Sequence, residues 1–548
     1  MPSLRFSSNE PLSLRLLPLA ALLRREVLSS LRRARTLFLI GGATGATLIL
    51  FVYSLMKANP NNLFVEEQVV SLVQAIILAL TLLLIPPMTI FSLREEQVRG
   101  TLDMLAMTHA RAFTIVGVKM LNAGMVFVLI LVALLPIFGV CFFFTGLSTA
   151  EFIETIAVML MTCTLASAVS ATFAVSVRSR AGAMMLIYPI LIFILIPLQG
   201  FGLSTPAGDF RELATKIFYA TLVVLLLAAP FVAVAASNFL LMTQVPAAGE
   251  TALKAAPPFR RMWPANSIVD NWNPIFRREL CAGSFNGKLF IYAAVAYALL
   301  CLGASTMTSR SLQSFDIPSL FLFHSYCFTL LCPVLVAALM ADEHEQEHMD
   351  MLRMTLLSAK TVVYGKFWAG VIFLLPLLLV PALSVLLGLL FVHDPTPWLR
   401  EAPIQLAGLF NLTCFLVALS LAAALPCRRA SVAYFAAAGI SILFVFALPY
   451  VALELYFSTA TRAYKPWEMF IVAAWPSPYF AETLGKLLQQ KLPSFTHGTA
   501  GGGNRNLQDW KGGLAAIWYI HQFALPFWTV LLLSACKGHY EKKLLRDV

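Results

Sequence analysis

The chain has 548 residues, 59% of them hydrophobic and only 12% charged, with a mean hydropathy of +0.80. Soluble proteins carry about 25% charged residues, so this composition excludes a soluble globular protein and predicts an all-α polytopic membrane protein. The formal net charge is +11; in a membrane protein that excess reflects cytoplasmic loops, and no nucleic-acid partner is expected.

The N-terminal apolar stretch "LLPLAALL" is short, and "RREVLSSLRRAR" follows where a small-residue cleavage site would stand. It is therefore not expected to be a cleavable signal. Leu16, Leu19, Leu23, Val27 and Leu31 recur at spacings of three and four, with arginines over much of the remaining surface. This pattern predicts an amphipathic helix lying on the membrane surface. The competing reading is a basic cytoplasmic tail without fixed structure.

A membrane-crossing helix needs about 20 predominantly apolar residues. Candidate spans lie near residues 37–56, 69–92, 121–144, 152–177, 182–200 and 217–241, and again near 289–307, 318–341, 368–392, 403–425, 431–456 and 515–536. About 12 transmembrane helices thus fall into two sets of six. With both termini in the cytoplasm, 28 of the 39 Lys and Arg residues lie on that side, as the positive-inside rule requires. The expected location is the cell (inner) membrane. Between the sets, residues 242–273 are rich in proline and basic residues and read as a cytoplasmic linker. Residues 1–241 form the first set with its surface helix, and 274–548 the second. A long extracytoplasmic loop is expected at about 458–514; its "HGTAGGGNRN" suggests flexibility.

The two sets read as repeats. Each opens on an arginine pair and a glutamate, Arg24-Arg25-Glu26 and Arg277-Arg278-Glu279. After the second span of each, "EEQVRGTLDMLAMTHARAFTIVGVK" (Glu95 to Lys119) aligns without gaps on "DEHEQEHMDMLRMTLLSAKTVVYGK" (Asp342 to Lys366). The matched pairs include Glu96/Glu343, Asp103/Asp350, Met104/Met351, Thr108/Thr355 and Lys119/Lys366. After the fourth span, Arg178 and Arg180 precede Ala181, and Arg428-Arg429 precede Ala430.

At the aligned segment the sequence resembles the permease subunits of type 2 ABC exporters. The residues that carry the likeness are Glu95, Glu96, Gly100, Thr101, Leu102, Asp103 and Lys119. "NPIFRREL" (Asn273 to Leu280) is similar to the family's entry into its first, surface-lying helix, and "WPSPYFAETL" (Trp475 to Leu484) to its segment between spans five and six. The resemblance implies that two fused permease repeats supply the whole membrane unit. It also implies that the loop after span two docks on a cytoplasmic ABC ATPase dimer. The coupling residues would be Glu95, Glu96, Gly100, Thr101 and Asp103 in the first repeat and Asp342, Glu343 and Asp350 in the second. The second copy departs from the pattern, with Glu347 and His348 in place of Gly100 and Thr101. The acidic pairs also fit a solvated interfacial face.

No nucleotide-binding motor is legible. "GSFNGKL" from Gly283 has the wrong spacing for a phosphate-binding loop and ends in leucine. ATP and Mg are therefore expected on a partner ATPase, with no cofactor in this chain, which is not itself read as an enzyme. The transported substrate is unknown.

A competing motif lies inside the second aligned segment. His344-Glu345-Gln346-Glu347-His348 spells H-E-x-x-H, which on a helix sets two imidazoles to share a zinc ion and a glutamate to act as general base. A zinc site needs a third protein ligand, and the nearest candidate, His393-Asp394, lies across a span. His344 also aligns with Gln97 and His348 with Thr101. None of the nine cysteines stands in a Cys-x-x-Cys pair. No metal site is therefore expected. The alternatives to the exporter are an intramembrane zinc metalloprotease and a non-transporting membrane scaffold. Ionisable residues are scarce within the spans, Glu454 being the clearest, which argues against a proton-driven carrier with a buried relay.

Overall fold

The computed structural model describes residues 23–28, 81–94, 112–145, 149–177, 210–244, 273–276, 357–391, 396–427, 430–447 and 524–541, together with residue 295 and scattered positions within 40–48, 183–191 and 325–337. Every regular element among them is helical. They are α1 (23–28), α2 (Thr81–Arg94), α3 (Ala112–Thr145), α4 (Thr149–Ser176), α5 (Phe210–Gln244), α6 (Ala359–Phe391), α7 (Thr396–Ala424), α8 (Ala430–Ile442, continued by a π-helical turn over Leu443–Ala447) and α9 (524–541).

Helices are what such apolar segments must form, because hydrocarbon offers no partner for a free backbone N–H or C=O. Their hydroxyl side chains follow the same rule. Thr89 bonds back to the Ile85 carbonyl, Ser170 to Ala166, Thr413 to Leu409, Ser420 to Leu416 and Thr529 to Leu525. Each hydroxyl is thereby satisfied within its own helix.

Four helices among the described residues are long and apolar enough to cross a membrane, or five when the two parts of bent α6 count as one. The remaining expected spans are described only in part. α6 bends by 43° between Leu375 and Leu377, at Pro376, which cannot donate a backbone hydrogen bond to the preceding turn.

Several helix starts differ from expectation: α5 and α7 begin at Phe210 and Thr396, seven residues before 217 and 403. α3 and α6 begin at Ala112 and Ala359, nine residues before the expected starts at 121 and 368. Both added segments are largely apolar, and the one charge that suggested a boundary, Lys119 or Lys366, is buried about two turns inside its helix. A lysine paired inside the protein does not end a helix as one facing lipid would.

The chain divides into two compact units, Met1–Ala255 and Ala256–Val548; the division falls within residues 242–273. In the first unit α4 is central. Of Phe152–Ser176, 56% is buried, against 11% of Ile217–Phe239 in α5. The Thr172 hydroxyl donates to the Phe231 carbonyl at 2.7 Å, and Asn238 Nδ2 donates to Ser176 Oγ at 3.1 Å. The two contacts advance together along both chains, so α4 and α5 run parallel. Helices separated by one intervening span must do so, and the helical positions within 183–191 lie where that span is expected. α5 turns Phe218, Leu222, Leu225 and Leu226 outward, a face suited to lipid.

In the second unit α7 takes the central place, with 67% of Gln405–Ala424 buried. It packs on α6 and α8. Gly370 permits the close approach of α6: a Cβ there would lie 3.0 Å from Val417 Cγ1. Small residues at such crossings are the usual device where lipid supplies no hydrophobic drive between helices.

The elements of the two units also correspond in position. The starts of α3 and α6 are 247 residues apart, and so are those of α4 and α7. That is the offset of the gapless alignment. The ends of α4 and α7, Ser176 and Ala424, are 248 residues apart.

Candidate coupling face and its supports

Glu95, Glu96, Gly100, Thr101 and Asp103, and in the second segment Asp342, Glu343 and Asp350, lie outside the described residues. So do His344, Glu345 and His348, His393 and Asp394, and Glu454. The described residues instead give the frame from which the two acidic segments start and to which they return.

In the first unit the segment follows Arg94, the last described residue of α2. Arg94 is buried, and its Nη2 donates to the Val177 carbonyl just beyond α4. Carbonyls in the last turn of a helix lack intrahelical partners, and a cation there also faces the negative end of the helix dipole. One side chain thus fixes α2 at Arg94 against the end of α4. The segment returns into α3, where Lys119 Nζ lies 3.0 Å from Glu26 Oε1 of α1. The two side chains are only 5% and 19% exposed. On the same helix Arg24 and Arg25 are exposed, while Leu23 and Val27 are half-buried.

In the second unit the returning end is built differently. Ser358 caps α6, accepting from the Thr361 N–H at 3.2 Å, as N-cap serines do. Asn273 caps the helical turn at 274–276 through its Oδ1, which accepts from the Ile275 N–H at 3.0 Å, with Pro274 in the first helical position where no N–H is needed. The other end of the same amide, Nδ2, donates to the Thr361 carbonyl at 2.5 Å. A Cβ on Gly365 would meet Asn273 Oδ1 and Ile275 Cβ at 2.9 Å, so this contact requires glycine. Lys366, the next residue, is fully buried.

Beyond the end of α7, the Cys427 N–H donates to the Ala424 carbonyl at 3.0 Å and its thiol to the Ala423 carbonyl at 3.4 Å. The residue aligned with Arg94 is Ala341, which carries no guanidinium.

Sequence reasoning missed four buried charged residues: Arg94, Lys119, Glu154 and Lys366. Lys119 and Lys366 stood in the alignment but read as boundary residues. Glu154 lies six positions into α4 and, unlike Glu454, carried no pattern that set it apart. Among the described residues no three His, Cys, Asp or Glu side chains converge to hold a metal ion.

Comparison with protein-family models, curated proteins and solved structures returns no match.

Proposed function

We propose that this chain is the membrane-spanning permease of an ATP-driven ABC exporter, two six-helix repeats fused in one polypeptide, working with a separate cytoplasmic ATPase dimer that binds ATP and Mg. The observation that carries this reading is the recurrence, at one offset of 247 residues, of the acidic segment and the two helices that follow it. A duplicated polar segment, set at the membrane face between firmly anchored helix ends, suits a protein surface better than lipid. Two such segments suit a two-fold motor. In this reading the termini and the 242–273 linker are cytoplasmic, and the chain sits in the cell (inner) membrane. The coupling residues are Glu95, Glu96, Gly100, Thr101 and Asp103 with Asp342, Glu343 and Asp350. The helices alternate access for a substrate whose identity the helix pattern does not specify, and the chain hydrolyses no ATP itself.

The test is purification of the tagged full chain from its native membrane in mild detergent. A co-purifying subunit carrying a phosphate-binding loop, with ATP turnover in reconstituted liposomes, is the expected result. A chain that purifies alone and turns over no ATP with any membrane fraction points to the scaffold. One zinc per chain, removed by changing His344 and His348, points to the protease.

A further inference from the structure

α1 is divided lengthwise. Leu23, Glu26 and Val27 are half-buried, and the Glu26 carboxylate meets Lys119 Nζ of α3 at 3.0 Å. Arg24, Arg25 and Leu28 are exposed, with Leu28 one turn beyond the arginine pair and so on the same face of the helix. The carboxylate nearest to the two guanidinium groups in sequence is thus engaged with Lys119. Among the described residues neither arginine has an acidic partner of its own.

The depth of this face follows from α3. Beyond Lys119, Leu121, Met125, Val128, Val132 and Leu135 are exposed at alternating spacings of four and three, which makes one continuous apolar stripe suited to lipid. Before Lys119 the large apolar residue exposed on the described part of α3 is Phe113. Lys119 stands two residues before Leu121, a rise of about 3 Å. Glu26 is paired with Lys119, so α1 lies level with the edge of the lipid-facing stripe, where hydrocarbon gives way to headgroups.

What α1 exposes fits that level. A guanidinium meets phosphate oxygens through parallel N–H donors, and a leucine beside it suits the boundary of the acyl chains. Acidic groups of a protein partner would satisfy the arginines, but would leave Leu28 and the depth of the helix without a reason. We propose that the outward face of α1 is a binding site for an anionic phospholipid. Arg24 and Arg25 hold its phosphate-bearing headgroup, Leu28 enters the acyl boundary beside it, and the Glu26–Lys119 pair fixes the depth at which they do so. This inference rests on the chain lying in a bilayer and is independent of the transport reading.

The test uses the purified full chain in two kinds of lipid nanodisc, one of phosphatidylcholine alone and one in which phosphatidylglycerol replaces part of it. Amide hydrogen exchange is followed over residues 23–28. A basic residue close to an anionic membrane surface gains roughly fivefold in binding, so the anionic discs should slow exchange there by about fivefold or more. Arg24→Gln together with Arg25→Gln should abolish the difference between the two lipids and leave exchange in α3 unchanged, since both side chains are exposed. Arg24→Lys together with Arg25→Lys keeps both charges and should keep most of the difference. Equal exchange in the two lipids, or a difference that survives the glutamine variant, overturns the proposal. Slowing that appears in either lipid only when cytosolic proteins are added assigns the face to a protein partner and also overturns it. If the glutamine variant does not enter discs, salt decides on the natural chain. At about 1 M NaCl the screening length falls to about 3 Å, and the difference between the lipids should disappear; a difference that salt leaves unchanged overturns the proposal.

Discussion

Arg94 and Val177, 83 residues apart in the chain, join two helices: the guanidinium of the first donates to the carbonyl of the second. Arg94 directly precedes the acidic segment in sequence, so the link ties the residue from which that segment starts to the end of α4. Arg94→Ala should lower the melting temperature of the detergent-purified chain by the equivalent of about 1.5–3 kcal/mol, the usual range for a hydrogen bond from a charged group. Arg94→Lys keeps the charge but not the planar fork and should recover only part. Near the end of α7 the Cys427 thiol meets the Ala423 carbonyl at 3.4 Å, a weak contact, so Cys427→Ala should cost about 0.5 kcal/mol or less. Equal losses at Arg94 and Cys427, followed by tryptophan fluorescence on heating, would contradict this asymmetry.

Topology is tested by the linker. Single cysteines placed at Ala255 and at Gly501 in an otherwise cysteine-free chain should label oppositely in intact cells. The second should react with an impermeant maleimide added outside, and the first only after the membrane is opened. The expectation rests on the 28 of 39 basic residues that this orientation places inside. Labelling of the linker position from outside inverts the layout.

How much was legible depended on which physics left a periodic trace. Long apolar runs announce helices because hydrocarbon admits little else, and α3, α4, α5 and α7 lie where apolar length alone puts spans. The starts of α3 and α6 were misjudged because a lysine in a run of apolar residues reads as a membrane boundary. What makes Lys119 an interior residue is Glu26, 93 residues earlier in the chain, and a single sequence does not display that distance as a contact. The repeat did hold the clue, since each half carries both the Arg-Arg-Glu triplet and the lysine. Arg94 left no such trace: the second half has Ala341 in its place, and the Val177 carbonyl it serves is a backbone group that no residue type marks. Gly365 and Gly370 look alike in sequence. Only packing distinguishes them, one against Asn273 and Ile275, the other against Val417.

The H-E-x-x-H motif gives a prediction about metal. His344→Ala and His348→Ala together should leave function largely intact, because the first repeat carries Gln97 and Thr101 at those positions. Elemental analysis of purified protein should find no stoichiometric zinc. A zinc content near one per chain, lost in the double variant together with activity, would establish a metal centre whose ligands fold with the bound ion.

Coupling is the most demanding expectation. If the segments beginning at Glu95 and at Asp342 dock on an ATPase, then Glu96→Lys sets like charge against a basic partner surface. A buried interfacial charge that loses its partner costs about 2–5 kcal/mol, so co-purification with the ATPase should fall at least tenfold. Glu343→Lys should act in the same sense but less strongly, since Glu347 and His348 replace the Gly100-Thr101 pair in that copy. Neither variant should disturb insertion, because both positions lie outside the expected spans. The supporting frame makes a further distinction. Arg94→Ala loosens the base of the first segment without altering its acidic surface. It should therefore lower ATP turnover in liposomes more than ATPase binding, whereas Glu96→Lys should lower both. If both charge reversals leave binding and turnover unchanged, the acidic segments are not the coupling elements. The exporter reading would then rest on the duplicated helix pattern alone, and a fold by itself does not specify a function.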